Sequence, residues 1–130
     1  MRVQNWPHAL AEYLRAHQDK AFEWGANDCV HFAAGAVEAV TGSRPVFTPY
    51  RTGRDAAILV RAQPLRERVS TLLGPEITLT DAQRGDLVLI DGKPGPTLGV
   101  CFGEQSVFLR KDIGTQSEPT MDCLCAWRVE

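Results

Sequence analysis

A segment of small apolar residues, Cys29–Thr41, constrains the fold more than any other part of this sequence. Five of its positions carry alanine or glycine: Ala33, Ala34, Gly35, Ala36 and Ala39. Gly42 follows, and glycine commonly ends a helix because it adopts a left-handed conformation without steric cost. We therefore expect a helix from about Cys29 to Thr41. A helix with so little side-chain bulk can lie close against a sheet, which suits a central position in the fold.

The residues before this helix bring a thiol to its start. An aromatic turn, 22–28, ends in two residues that can cap the helix, since Asn27 or Asp28 can accept a free backbone N–H of the first turn. Cys29 then lies at the positive end of the helix, where the field lowers a thiol pKa toward neutrality. Such a cysteine is a candidate nucleophile. The alternative is that Cys29 is a small buried hydrophobic side chain beneath the turn.

His31 is the histidine nearest to this thiol in the sequence. Two residues correspond to a rotation of about 200° around a helix, so we expect His31 to point away from Cys29. The sequence therefore predicts a packed or partly exposed His31 that does not act as the base for the thiol.

The order of the remaining elements predicts the fold class. Asn5 is a candidate cap for a first helix that has Pro7 in its first turn and fades between His17 and Lys20. Two more helices are expected at 55–61 and 65–73, and Gly74 ends the second. Strands are then predicted at 85–91, 97–103, 106–111 and 123–129, with a loop at 92–96. Helices followed by strands indicate an α+β fold with a mostly antiparallel sheet in a single domain, 1–130.

Charge and hydropathy exclude two classes of partner. A net charge of −2 does not favour nucleic acid, and no apolar run approaches the roughly 20 residues that span a bilayer. The first residues, 1–7, lack the apolar core of a signal peptide, so we expect synthesis in a cytoplasm and no membrane insertion. In that compartment the four cysteines are expected to be thiols rather than disulfides.

Metal binding is the main alternative use of the other three cysteines. If Cys123 and Cys125 lie in one strand, alternation puts both thiols on the same face. Cys101 from a neighbouring strand would complete three soft ligands for zinc or an iron–sulfur cluster. The C-x₂-C spacing is absent, however, and no histidine lies nearby in the sequence. Core or interface thiols are the favoured interpretation, with no metal and no cofactor.

Three motifs together resemble a known superfamily. They are Trp24-Gly25-x-x-Asp28-Cys29 at a helix start, Arg84-Gly85-Asp86-Leu87-Val88, and the strand Leu98–Gly103. The chain thereby resembles the NlpC-type papain-like cysteine peptidases over residues 22–127. More specifically, it is similar to a small phage family whose genes lie beside those for the tail tip of long-tailed phages and gene transfer agents. The resemblance implies a papain-like fold in which the central helix begins at the cysteine.

The resemblance also assigns roles to positions of this sequence. Cys29 falls on the nucleophile, and Thr97 falls where the superfamily has its general-base histidine, because 97–103 aligns with His-x-Gly-x-x-x-Gly. The third polar residue should come from the strand at 106–109, which has no His, Asn or Gln there, and Gln105 is expected in the turn. General acid–base catalysis contributes about 10²–10⁴-fold, and threonine cannot replace imidazole near pH 7. The catalytic role of Cys29 is therefore expected to be vestigial or weak.

A virion role is the function that the resemblance implies. We expect a structural or assembly protein of the phage tail tip, made in the host cytoplasm, with other tail-tip or hub proteins as its partners. The alternative is an active cysteine peptidase or amidase that cleaves peptidoglycan stem peptides through a Cys29 thioester during cell-wall penetration. Peptidoglycan would then be a further partner. A non-phage amidase or transferase of the same fold is the third interpretation.

Overall fold

The computed structural model describes residues 1–92 and 95–130, and in these ranges the chain forms helices first and strands afterwards. The helices are α1 (Trp6–His17), α2 (Cys29–Thr41), α3 (Gly53–Ala62) and α4 (Leu65–Leu73). The strands are β1 (Glu76–Ile77), β2 (Leu87–Asp91), β3 (Pro96–Cys101), β4 (Gln105–Arg110), β5 (Gly114–Pro119) and β6 (Cys125–Trp127). The predicted α+β class is confirmed. Positions 93 and 94 of the predicted loop lie outside the described residues.

Among the described residues, six strands form one antiparallel sheet in the order β1-β6-β2-β3-β4-β5. The last strand, β6, lies between β1 and β2, so the sheet includes long-range strand pairings as well as hairpins. Sequence patterns found β2, β3, β4 and β6 but missed the two edge strands. β1 is only two residues long, and β5 has no buried residue, so neither shows the alternation of a half-buried strand.

Helix α2 is the centre of the fold, as its small side chains predict. It packs against both α1 and the strands β3 and β4. Eight of its thirteen residues are buried, among them Phe32, Val37 and Val40. A Cβ at Gly35 would collide with the Tyr13 side chain, whose hydroxyl donates a hydrogen bond to the Phe32 carbonyl at 2.8 Å. Glycine at this position therefore sets how closely α1 approaches α2.

Asp86 of the Gly-Asp-Leu motif binds residues near both ends of the chain. Asp86 is fully buried, and its carboxylate lies 2.9 Å from Arg2 Nη2 and 3.2 Å from Arg128 Nη1. It also accepts hydrogen bonds from the backbone N–H groups of Gln83 at 2.8 Å and Val129 at 3.0 Å. One carboxylate thus joins the N-terminal segment, the turn before β2 and the segment after β6.

The thiols of Cys123 and Cys125 do not lie on one face of the sheet, so that prediction is wrong. Cys123 follows a short 3-10 turn, Thr120–Asp122, and packs with Cys101 in one apolar cluster. Cys125 begins β6 and packs in the other cluster, beneath the helices. Strand alternation fails because Cys123 lies outside the strand. Burial raises the pKa of both Cys123 and Cys125 to about 11. In the described part of the chain, no three His, Cys, Asp or Glu side chains come together as metal ligands.

Candidate functional site

Asp28 is the polar centre of the site, at the start of α2. Its side chain caps the helix by accepting the His31 backbone N–H at 3.0 Å, which confirms one of the two predicted caps. It also accepts hydrogen bonds from the Tyr50 hydroxyl at 2.6 Å and the Gly25 backbone N–H at 2.9 Å. Burial alone would raise the pKa of Asp28, but the hydrogen bonds from Tyr50, His31 and Gly25 hold it below its ordinary value. The carboxylate is therefore ionised and saturated with donors.

The Trp-Gly pair of the motif attaches a second segment to this helix start. Gly25 has a φ of +80°, and a Cβ there would lie 2.5 Å from the Tyr50 carbonyl oxygen, so only glycine fits. Trp24 packs edge-on against Phe22 at 4.9 Å between ring centroids, and its indole contacts Gly53. Together with the Tyr50–Asp28 hydrogen bond, these contacts hold the segment from Tyr50 to Gly53 against the aromatic turn.

Cys29 is the first residue of α2, as predicted, and its side chain is half-buried. Burial raises the pKa of Cys29 to about 11, and the Asp28 carboxylate acts in the same direction. Backbone hydrogen bonds from Leu98 and from the helix start lower the pKa by less. The prediction of a lowered thiol pKa is therefore wrong, because desolvation outweighs the helix field. Cys29 is a neutral thiol at pH 7.

Cys29 faces an apolar cavity of about 440 Å³. Val30 and Leu65 form part of its wall, and β3 contributes Thr97. The hydroxyl of Thr97 donates a hydrogen bond to the Gly95 carbonyl at 3.2 Å. The cavity thus brings together Cys29 and Thr97, the two positions that the motif alignment pairs as nucleophile and base.

All three histidines lie in the described ranges, and none of them lines this cavity. His31 Nδ1 lies 2.8 Å from Asp28 Oδ1, a contact that requires the proton on Nδ1. Its ring packs edge-on against Tyr50, so His31 is a packed side chain, as predicted. His17 Nδ1 lies 2.9 Å from the Tyr13 carbonyl, and His8 is exposed on α1.

The expected third position offers no polar group to the cavity. Gln105 closes the tight turn before β4, where its carbonyl accepts the Phe102 N–H at 2.9 Å, and it is also the first residue of that strand. It is exposed and does not line the cavity. Among the described residues, therefore, Cys29 shares the cavity with no imidazole and no side-chain amide.

Sequence patterns did not identify α3 and Arg68 as parts of the site. Helix α3 has no buried residue, yet Ala56, Ala57, Leu59 and Val60 line the cavity. Arg68 of α4 also lines it and donates to the backbone carbonyls of Leu59 at 2.5 Å and Gln63 at 2.9 Å. The apolar spacing along α3 was the available signal, but it does not reveal which surface the helix covers.

In the described part of the chain, no helix is both long enough and apolar enough to cross a membrane.

Comparison with known proteins identifies a family for this chain but no activity. No curated protein matches the sequence. One family model matches residues 1–129, which is nearly the whole chain. The chain therefore belongs to the family described as domain of unknown function DUF6950.

Proposed function

We propose that this chain is a papain-like domain with an inactive cysteine site, which serves as a structural or assembly component of a phage tail tip. The sequence resemblance to the NlpC-type superfamily supports the fold, and the position of Cys29 at the start of a buried central helix is compatible with it. The resemblance to the tail-tip family supports the location in the virion tail and the partners, other tail-tip or hub proteins.

The state of Cys29 carries the proposal of inactivity. Attack on a peptide carbonyl needs a thiolate, and departure of the amine needs a proton donor. Cys29 has a pKa of about 11, and the residue opposite it in the motif alignment is Thr97. A threonine hydroxyl neither takes the thiol proton nor protonates an amine near pH 7. The other titratable groups in the described lining are Tyr50, whose hydroxyl is bound to Asp28, and the cationic side chains of Arg68 and Lys111, neither of which can accept the thiol proton near pH 7.

Alkylation of Cys29 by iodoacetamide tests this state. At pH 7.5 we expect the folded protein to react at least about 100-fold more slowly at Cys29 than the same protein in guanidinium, because a thiol of ordinary pKa is about one-tenth ionised there. The rate should keep rising with pH toward about 11 instead of levelling near pH 8.5. Peptide mass spectrometry locates the modified cysteine.

Two variants at position 97 make the alkylation test specific. Thr97→His should accelerate the reaction of Cys29 at pH 7.5 relative to Thr97→Val, since only the imidazole can accept the proton. Fast alkylation of the wild-type protein at pH 6, together with release of amine from peptidoglycan stem peptides that is lost in Cys29→Ala, would contradict inactivity and favour the peptidase.

The virion role is tested on particles of a phage that encodes this chain. Mass spectrometry of purified particles should detect the chain, and cross-linking should join it to a tail protein. Particles that assemble with Cys29→Ala should contain the chain and keep the wild-type titre. Absence of the chain from wild-type particles would contradict a structural role, whereas normal assembly with a reduced titre in Cys29→Ala would indicate a catalytic one.

A further inference from the structure

We propose that the cavity beside Cys29 binds an unbranched fatty acid, with the hydrocarbon chain inside the cavity and the carboxylate at Arg68. The inference does not depend on a virion role, because it rests only on the shape, polarity and charge of the cavity. Its volume of about 440 Å³ lies in the range of small-molecule sites, roughly 300–1,000 Å³.

The lining favours a hydrocarbon chain over a peptide. Each peptide unit brings a donor and an acceptor that must be paired when buried. The uncharged polar side chains of the described lining are Thr48, Tyr50 and Thr97 with the Trp24 indole and the Cys29 thiol, and all three hydroxyls already have partners. Tyr50 donates to Asp28, and Thr97 donates to the Gly95 carbonyl. A methylene chain needs no such partners and gains from every apolar contact with Phe22, Phe47 and Leu109.

The charges at the cavity favour an anionic head group. Arg68 and Lys111 are the charged residues in the described lining, which contains no Asp or Glu. Among the described residues, Arg68 donates hydrogen bonds to neutral acceptors: the carbonyls of Leu59 and Gln63, and the Thr48 hydroxyl at 3.4 Å. A guanidinium has five N–H donors, so two remain for a carboxylate. No carboxylate in the described lining therefore balances the positive charges of Arg68 and Lys111.

Helix α3 provides a wall that can move to admit a ligand. It has no buried residue, and its apolar side faces the cavity rather than a packed core. A segment with so few buried contacts opens at low free energy, and a ligand that fills the space beneath it should stabilise it. Amide hydrogen exchange in α3 should consequently slow when the cavity is occupied.

A chain-length series tests the proposal on the whole protein. Hexanoate, octanoate, decanoate and dodecanoate, each below its micellar concentration, should bind with affinities that rise about fourfold per methylene until the cavity is full. Decanoate should also slow amide exchange in α3. Decanoate methyl ester should bind more weakly than decanoate, because it lacks the charge. No saturable binding at any length, or affinity independent of length, would overturn the proposal.

Two matched pairs of variants locate the ligand. Ala56→Phe, which fills the cavity, should weaken decanoate binding by tenfold or more, while Ala62→Phe at the exposed end of α3 should not. Arg68→Met should weaken decanoate but not decanol, with the exposed Arg61→Met as its control. If Arg68→Met does not fold, the comparison of decanoate with its methyl ester on the wild-type protein still measures the charge. Equal binding by Ala56→Phe and Ala62→Phe would exclude this cavity.

Discussion

Replacing Asp86 with alanine is expected to lower the free energy of unfolding by about 3–5 kcal/mol, a large part of the stability of a domain this size. The carboxylate is fully buried and meets two guanidinium groups and two backbone N–H groups. Its removal leaves the N–H groups of Gln83 and Val129 without an acceptor, and an unpaired buried donor costs about 1–3 kcal/mol. Arg2 and Arg128 also lose their shared counter-charge, although both keep hydrogen bonds to backbone carbonyls.

Urea unfolding at pH 7 measures this effect. Asp86→Asn should be destabilised as well, because a neutral amide gives the two arginines no counter-charge and has only one accepting oxygen. Asp91→Ala is the matched control: the residue lies in the same strand but is exposed, so its change should stay within about 0.5 kcal/mol. An Asp86→Ala protein within 1 kcal/mol of wild type, on the scale of the usual spread of single substitutions, would show that the network is dispensable.

The second large effect is expected at Asp28. Alanine there removes the cap of α2, about 1 kcal/mol, and leaves the Tyr50 hydroxyl and the Gly25 N–H without their acceptor. We expect a total loss of about 2–4 kcal/mol. Tyr50→Phe removes only one of these hydrogen bonds and should cost about 1 kcal/mol, while Asp55→Ala on the exposed first turn of α3 should be nearly neutral.

The pH dependence of the Asp28 effect identifies its cause. Because the pKa of Asp28 is lowered in the folded state, the carboxylate contributes stability that is present above its unfolded pKa of about 3.9. That contribution is lost as the pH falls through the lower folded pKa. The gap in unfolding free energy between wild type and Asp28→Ala should therefore narrow below about pH 4. A gap that stays constant down to pH 2 would assign the loss to packing instead of to the hydrogen-bonded carboxylate.

Much of the helical structure was predictable because its signals are local. The cap at Asp28, the glycine at 42 and the small side chains between them predict α2 with its observed bounds. Asn5 shows the limit of such signals, since it precedes α1 but makes no side-chain cap hydrogen bond. Strand β5, an exposed edge, carries no apolar alternation, and its pairing with β4 is decided by the neighbouring strand.

Part of the site was predictable from the sequence: Cys29 and Thr97 were identified, whereas α3 and Arg68 were not. The motifs predicted that Cys29 and Thr97 would lie together, and both line one cavity. The position of Cys29 at a helix start predicted a lowered thiol pKa, and that prediction is wrong because desolvation by burial outweighs the field of the helix. The prediction that Cys123 and Cys125 share one face is also wrong, because strand β6 begins only at Cys125 and Cys123 still belongs to the preceding turn.

Local signals predicted the four helices, four of the six strands and the alignment of Thr97 with the base position, because caps, apolar spacing and motif register are properties of neighbouring residues. The hydrogen bond from the Tyr50 hydroxyl to Asp28 depends on the folded arrangement, because 22 residues separate the two side chains in the sequence. The tertiary structure also places α3 along one wall of the apolar cavity beside Cys29, where burial raises the thiol pKa to about 11. The desolvation of a titratable side chain depends on which distant segments of the chain pack around it, and the local sequence pattern does not predict that packing.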